Sequence, residues 1–253
     1  MQSVLRSLVL ILLLAACARI SALPQEPCSE MTRKDIAVIE ANFMLWQSCT
    51  RVDAEKWAAE AETDVRQALK AASCYAFLLG ANGDKAVQLD DAKQGRKLAE
   101  DAAKKAPQSG LAHYLAAMLT GLQAQRDPLN GLNAVPVIER EAQIAARLNP
   151  DLDHGGPDRI LGELYLRAPE PPISIGDTSK AVVHYRRAVK RAPRYIENLL
   201  GLAESLLADD EPGEACEELA AALTEMPPNS VHEVQWQKAL TILKRLCGMQ
   251  TTQ

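Results

Sequence analysis

Aromatic side chains are scarce: three Trp, five Tyr and two Phe make up 4% of 253 residues. Alanine and leucine must therefore fill the interior, a composition that suits closely packed helices. No stretch sustains the period-two alternation of β-branched residues that a half-buried strand needs, so no sheet is expected. Basic patches and arginine-rich runs are also missing. With a net charge of −5 and both signs mixed along the chain, nothing points to nucleic acid. The histidines, His113, His154, His184 and His232, make neither an HExxH pair nor a cysteine–histidine zinc spacing. No G-x-S-x-G elbow occurs. Gly155-Gly156-Pro157 superficially suggests a phosphate loop, but Pro157 lacks an N–H and no lysine follows, which fits an ordinary helix start. The many carboxylates lie at helical surface spacing, where solvated faces and i,i+4 pairs account for them. The expectation is a non-enzymatic binding protein with no catalytic residue, no metal ligand and no cofactor.

What is present is helical repetition. Residues 153–193 read as two helices back to back, the first carrying Leu161, Gly162 and Tyr165, the second Ala181, Tyr185 and Ala188, with Pro193 closing the unit. That is close to the leucine–glycine–tyrosine, alanine–aromatic–alanine, proline pattern of a tetratricopeptide repeat. Residues 196–227 repeat it with Leu199, Leu202, Ala203 and Leu206, then Ala215, Leu219, Ala222 and Pro227. Closing prolines recur at 107, 150, 193 and 227, at spacings of 43, 43 and 34 residues. The last spacing is the standard repeat period, and the excess of the first two is expected in loops between paired helices. The fold class expected over residues 30–248 is all-α, an α–α superhelix of about four elongated tetratricopeptide-like repeats with flanking N- and C-terminal helices. The flanking segments predict a first helix over 31–48, a long helix from a cap at Asp53 to about Leu79, and a last helix over about 231–246 ended by Gly248. Residues 249–253 are left as a tail.

The chain starts with a targeting signal. Arg6 supplies the positive charge and Leu8 to Leu14 an apolar run too short for a stable membrane span. Leu14-Ala15-Ala16-Cys17 resembles a bacterial lipobox, which implies removal of residues 1–16, lipidation of Cys17 and a membrane anchor. An ordinary secretory signal cut after Ala22 is the alternative, and either exports the protein. By resemblance to Gram-negative sorting rules, Ala18 after the cysteine favours the outer membrane, on its periplasmic face. Residues 17–29, with two prolines and no periodicity, read as a tether.

The third repeat carries a more specific likeness. Gly155-Gly156-Pro157-Asp158-Arg159, Leu161-Gly162, Tyr165, Ala168-Pro169, Gly176-Asp177, Lys180-Ala181 and Pro193 resemble the T component associated with TRAP (tripartite ATP-independent periplasmic) transporters, TatT, a group of bacterial tetratricopeptide lipoproteins. The resemblance implies a superhelix with a central pore, a homo-oligomer (a trimer), binding to a periplasmic solute-binding protein and handling of hydrophobic ligands. The scaffold alone also suits an envelope-assembly protein or a carrier of an apolar small molecule, since one repeat architecture hosts many functions.

In such repeats the first helix of each pair lines the concave surface. That points Arg159, Glu163 and Arg167 of the third repeat and Glu197 and Glu204 of the fourth into a mixed-charge groove able to hold a peptide segment or a small anion. The same residues also suit a merely solvated face. Besides Cys17, the cysteines are 28, 49, 74, 216 and 247. Export permits oxidation. Antiparallel geometry suggests Cys216–Cys247 and Cys28–Cys74, with Cys49 left over; five small buried thiols are the alternative.

Overall fold

The computed structural model describes residues 37–38, 40–41, 48–80, 84–225 and 233–250. All of them fall in one structural unit, Arg33–Gln253. The targeting segment, the tether, Cys17, Cys28, His232 and most of the expected first helix lie outside the described residues. Ala37, Val38, Glu40 and Ala41 are helical. Among the described residues ten further α-helices follow: α1 (Arg51–Glu60), α2 (Val65–Leu78), α3 (Lys85–Lys105), α4 (Gly110–Arg126), α5 (Gly131–Leu148), α6 (Gly156–Arg167), α7 (Thr178–Arg191), α8 (Ile196–Ala208), α9 (Pro212–Glu225) and α10 (Glu233–Gln250). Among the described residues there is no strand. Each helix packs on the next, and α2, α4, α6, α8 and α10 also touch one another in succession. These even-numbered helices form the inner layer of an all-α superhelical stack, and α3, α5, α7 and α9 the outer one.

The repeat is written into the helix ends. Helices α3, α5 and α7 each end two residues before a proline, with C-caps at Ala106, Asn149 and Ala192 directly before it. All three caps share one non-helical geometry, with φ/ψ of −131/69, −149/86 and −136/78 degrees. A following proline ring pushes its predecessor out of the helical region, so the sequence period of 43 becomes a structural period. Each cap N–H still donates to the carbonyl four residues back, at 2.8, 2.8 and 3.0 Å.

Packing between layers depends on small residues opposite rings. Tyr185 of α7 lies between Gly162 of α6 and Gly201 of α8, and a Cβ on either glycine would enter its ring. Around it Leu202, Leu206, Ala215 and Leu219 are almost wholly buried. This is how a chain with few aromatics closes its core: one ring fills the space that two glycines leave.

Three expectations need correction. The helix read from Asp53 to Leu79 is two helices. Thr50 caps α1 in a capping box with Asp53, the chain turns at residues 61–64, and Asp64 caps α2 by accepting from the Arg66 N–H at 2.8 Å. Paired Thr-x-x-Asp and Thr-Asp signals outweigh the apolar periodicity that runs through them. Second, only the third repeat places its excess in a loop, residues 168–177. The first two extend a helix instead: α3 starts at Lys85 behind the Asp84 cap, and α5 starts at Gly131, with Pro136 inside it on the exposed face. Third, Gly248 does not end α10, which continues to Gln250.

The cysteine pairing is partly as expected. Cys216 and Cys247 are bonded, with Cα atoms 5.5 Å apart, joining α9 to α10. The other bridge is Cys49–Cys74, with Cα atoms 5.9 Å apart, and not Cys28–Cys74. The error follows from the missed turn at residues 61–64. With α1 and α2 antiparallel, the chain entering α1 lies opposite the later turns of α2, and Cys49 sits there, one residue before the Thr50 cap.

Candidate functional site

Arg159, Glu163 and Arg167 recur every four residues on α6, and Glu197 and Glu204 lie two turns apart on α8. Both helices belong to the inner layer, so the five side chains line one concavity of about 510 Å³. Leu122 and Gln125 of α4, Tyr185 of α7 and Lys238 of α10 complete it. A second concavity of about 550 Å³ opens beside it between α4, α5 and α6, with Met118, Gly121, Leu132, Val135, Ile138 and Leu164 among its walls. Leu122, Gln125, Ile160, Glu163 and Arg167 line both, so the two form one groove with an apolar half and a charged half.

The five charges do different things. Arg167 is half exposed where the halves meet and bridges two inner helices, donating to Glu163 at 3.1 Å and to Glu204 at 2.7 Å. Lys238 reaches Glu204 at 2.7 Å, which ties α10 into the same clamp. The Tyr185 hydroxyl donates to Glu163 at 3.0 Å. Burial pushes Tyr185 above its ordinary value and the neighbouring Glu163 charge adds to that, so the hydroxyl stays a donor. Glu197 is exposed and accepts from the Tyr195 hydroxyl at 3.0 Å.

Arg159 is committed elsewhere. Its side chain is only 15% exposed, and it donates to the Asp153 carboxylate at 2.5 Å, the Asp153 carbonyl at 3.0 Å and Asn198 Oδ1 at 3.1 Å. Its guanidinium carbon lies 4.9 Å from the centre of the Tyr195 ring. Burial opposes its charge, but Tyr114 and Asp153 beside it hold the group above its ordinary value. Asp153 also accepts from the Tyr114 hydroxyl. The turn that delivers Asp153 has three consecutive left-handed residues, Asp153 (φ 45°), His154 (φ 59°) and Gly155 (φ 83°). Gly155 is required twice over, by its φ and because a Cβ would lie 3.0 Å from Ala188 Cα. Gly155-Gly156-Pro157 is thus the entry to α6, with Pro157 in its first turn.

Two other polar clusters sit away from the groove. His113 Nδ1 is 2.5 Å from the buried Glu141, which also accepts from Arg140 at 2.8 Å. His184 Nδ1 is 2.9 Å from buried Asp158 and its ring stacks on Tyr165. Both join helices across the stack. Among the described residues no group of His, Cys, Asp and Glu could hold a metal ion, and no helix is long and apolar enough to cross a membrane.

Sequence reasoning missed Lys238 as a groove residue, because no local pattern shows which face of the flanking helix α10 meets the concavity. It missed Asp153 and Asn198 as partners of Arg159, because only the left-handed turn brings them there. The apolar half carried a readable signal in the helical spacing of Ala117, Gly121 and Ala124, small residues on one face of α4.

The Glu204 clamp makes a testable prediction. Burial raises the Glu204 carboxyl, but Lys238 and Arg167 outweigh it and hold the group below its ordinary value of 4.5. A depressed carboxylate stabilises the fold above the unfolded value and loses that contribution as pH falls through the folded one. Glu204→Gln is therefore expected to weaken the wild-type loss of melting temperature on acidification below pH 4.5. Melting curves from neutral to acid pH check this; parallel curves for both proteins would refute the clamp.

Comparison with protein-family models and with curated proteins returns no match.

Proposed function

We propose that this chain is an exported, non-enzymatic binding protein, lipid-anchored at Cys17, whose inner-layer groove holds a segment of a partner protein. One observation supports it above the others: an apolar concavity and a charged one share five wall residues, so a single bound segment can bury side chains in one and pair charges in the other. The partner suggested by the resemblance to the transporter-associated T component is a periplasmic solute-binding protein. A carrier of an apolar small molecule is the second reading, favoured by the 550 Å³ of mostly apolar space.

The test is site-specific photocrosslinking in intact cells. One crosslinker replaces Gln125, which is exposed and lines both halves, and a control replaces Arg187, exposed on α7 of the outer layer. A single dominant exported protein caught at 125 and not at 187 is the expected result. Equal capture at both positions overturns the groove. Recovery of envelope-assembly proteins at 125 keeps the groove but replaces transport with scaffolding. A lipid-like mass held in native mass spectra, with no protein crosslink, selects the carrier.

A further inference from the structure

The charged half of the groove is not neutral towards a ligand. Arg159 lines it, but its charge is spent on Asp153, a residue that does not line the concavity. Glu197 still acts on Arg159 through space, but the direct ion pairs within the concavity come from two cations, Arg167 and Lys238. Both cations are engaged on carboxylates already, with Glu204 accepting from each and Glu163 from Arg167. Among the described residues no basic side chain pairs with Glu197, which is exposed and held only through the Tyr195 hydroxyl. The floor thus offers an excess of negative charge at one end and apolar walls at the other, with Arg167 and Glu163 between them. Leu132 in the first turn of α5 lines the apolar concavity and is 53% exposed, and Leu129 in the turn before it is 96% exposed. Exposed leucines at the mouth of an apolar concavity extend the apolar surface that a partner can cover.

We propose that the occupant of this groove is an amphipathic peptide segment with apolar side chains in the concavity between α4, α5 and α6 and a lysine or arginine against Glu197 and its neighbouring carboxylates. The assignment rests on the partner-protein reading of the groove and specifies the partner's chemistry. An acidic segment would meet the unpaired Glu197 and would have to break the Arg167 clamp to find a cation. A purely apolar segment would leave Glu197 without a direct ion-pair partner.

Gly121 supplies the discriminating variant. A Cβ there would meet only Ile138 Cδ1, at 3.8 Å, so Gly121→Leu projects into the apolar concavity without a clash at its base. Leucine also favours the helix more than glycine does. The experiment selects a random displayed peptide library on the purified chain, then measures fluorescence anisotropy of the enriched peptides with wild type, Gly121→Leu and Glu197→Lys. Helical circular dichroism and melting confirm that each variant is folded. The expected outcome is enriched peptides that place leucine, isoleucine or phenylalanine beside lysine or arginine. Their binding should be abolished by Gly121→Leu and weakened at least about tenfold by Glu197→Lys. Enrichment of acidic or uncharged peptides that Gly121→Leu still blocks, or a Kd unmoved by Glu197→Lys, overturns the charge assignment and leaves the groove standing. No enrichment, or enrichment indifferent to Gly121→Leu, overturns the groove itself.

Discussion

Replacing Asp153 with alanine is expected to lower folding stability by about 3–5 kcal/mol, because it strands a buried guanidinium without its anion. Only 15% of the Arg159 side chain is exposed, at the wall of the concavity. Its remaining acceptors, the backbone carbonyl at position 153 and Asn198 Oδ1, and the Tyr195 ring are neutral, and Glu197 acts on it without a direct ion pair. The Tyr114 hydroxyl loses its acceptor in the same variant. Asp153→Asn separates two contributions, since asparagine tolerates the left-handed backbone as well as aspartate does but brings no charge. It should recover only the part of the loss that comes from the turn. Adding Arg159→Met to Asp153→Asn removes the stranded charge and should restore stability beyond either single variant, as apolar replacement of buried ion pairs commonly does. Urea unfolding followed by circular dichroism measures all four proteins. A loss below about 1 kcal/mol for Asp153→Ala, the range of exposed pairs, would mean that Arg159 finds water after all.

Opening either disulfide should cost about 3.5 kcal/mol, the chain-entropy value for loops of this size. Cys49–Cys74 closes a separation of 25 residues and Cys216–Cys247 one of 31. The bridges lie at opposite ends of the stack with no partner in common, so their losses should add. Native-state hydrogen exchange supplies the spatial check. Cys49→Ser should deprotect α1 and α2 first, and Cys216→Ser should deprotect α9 and α10, while α4 and α6 exchange as before. Uniform deprotection along the whole chain would show that the ends do not open separately.

Helix ends and helix faces were readable in the sequence because they depend on near neighbours. The prolines at 107, 150 and 193 mark real boundaries since each acts on the residue directly before it. The four-residue steps of Arg159, Glu163 and Arg167 put them on one face because helical geometry does so anywhere. What was not readable depends on turns. The break between α1 and α2 hides under a continuous apolar period, and with it hid the pairing of Cys49. The commitment of Arg159 to Asp153 hides in three left-handed residues, of which only Gly155 announces itself by type. Lys238 joined the groove through the curvature of the whole stack, which no local pattern encodes.

That buried cluster has a consequence for how the molecule comes apart. In a stack where each helix pair touches only its neighbours, an unfolding front can enter at either end and travel one pair at a time. Tyr114 on α4, Asp153 in the turn, Arg159 on α6 and Asn198 on α8 instead form one connected set spread over three successive pairs. Asn198 extends it further, donating to the carbonyls of His154 and Ala188 at 2.8 and 3.1 Å. A front arriving from α10 and α9 cannot peel away α8 without uncovering the guanidinium, and losing it undoes the turn and α6 together. The middle of the stack therefore behaves as a brake: the ends can fray independently, while the pairs that carry the groove yield as one.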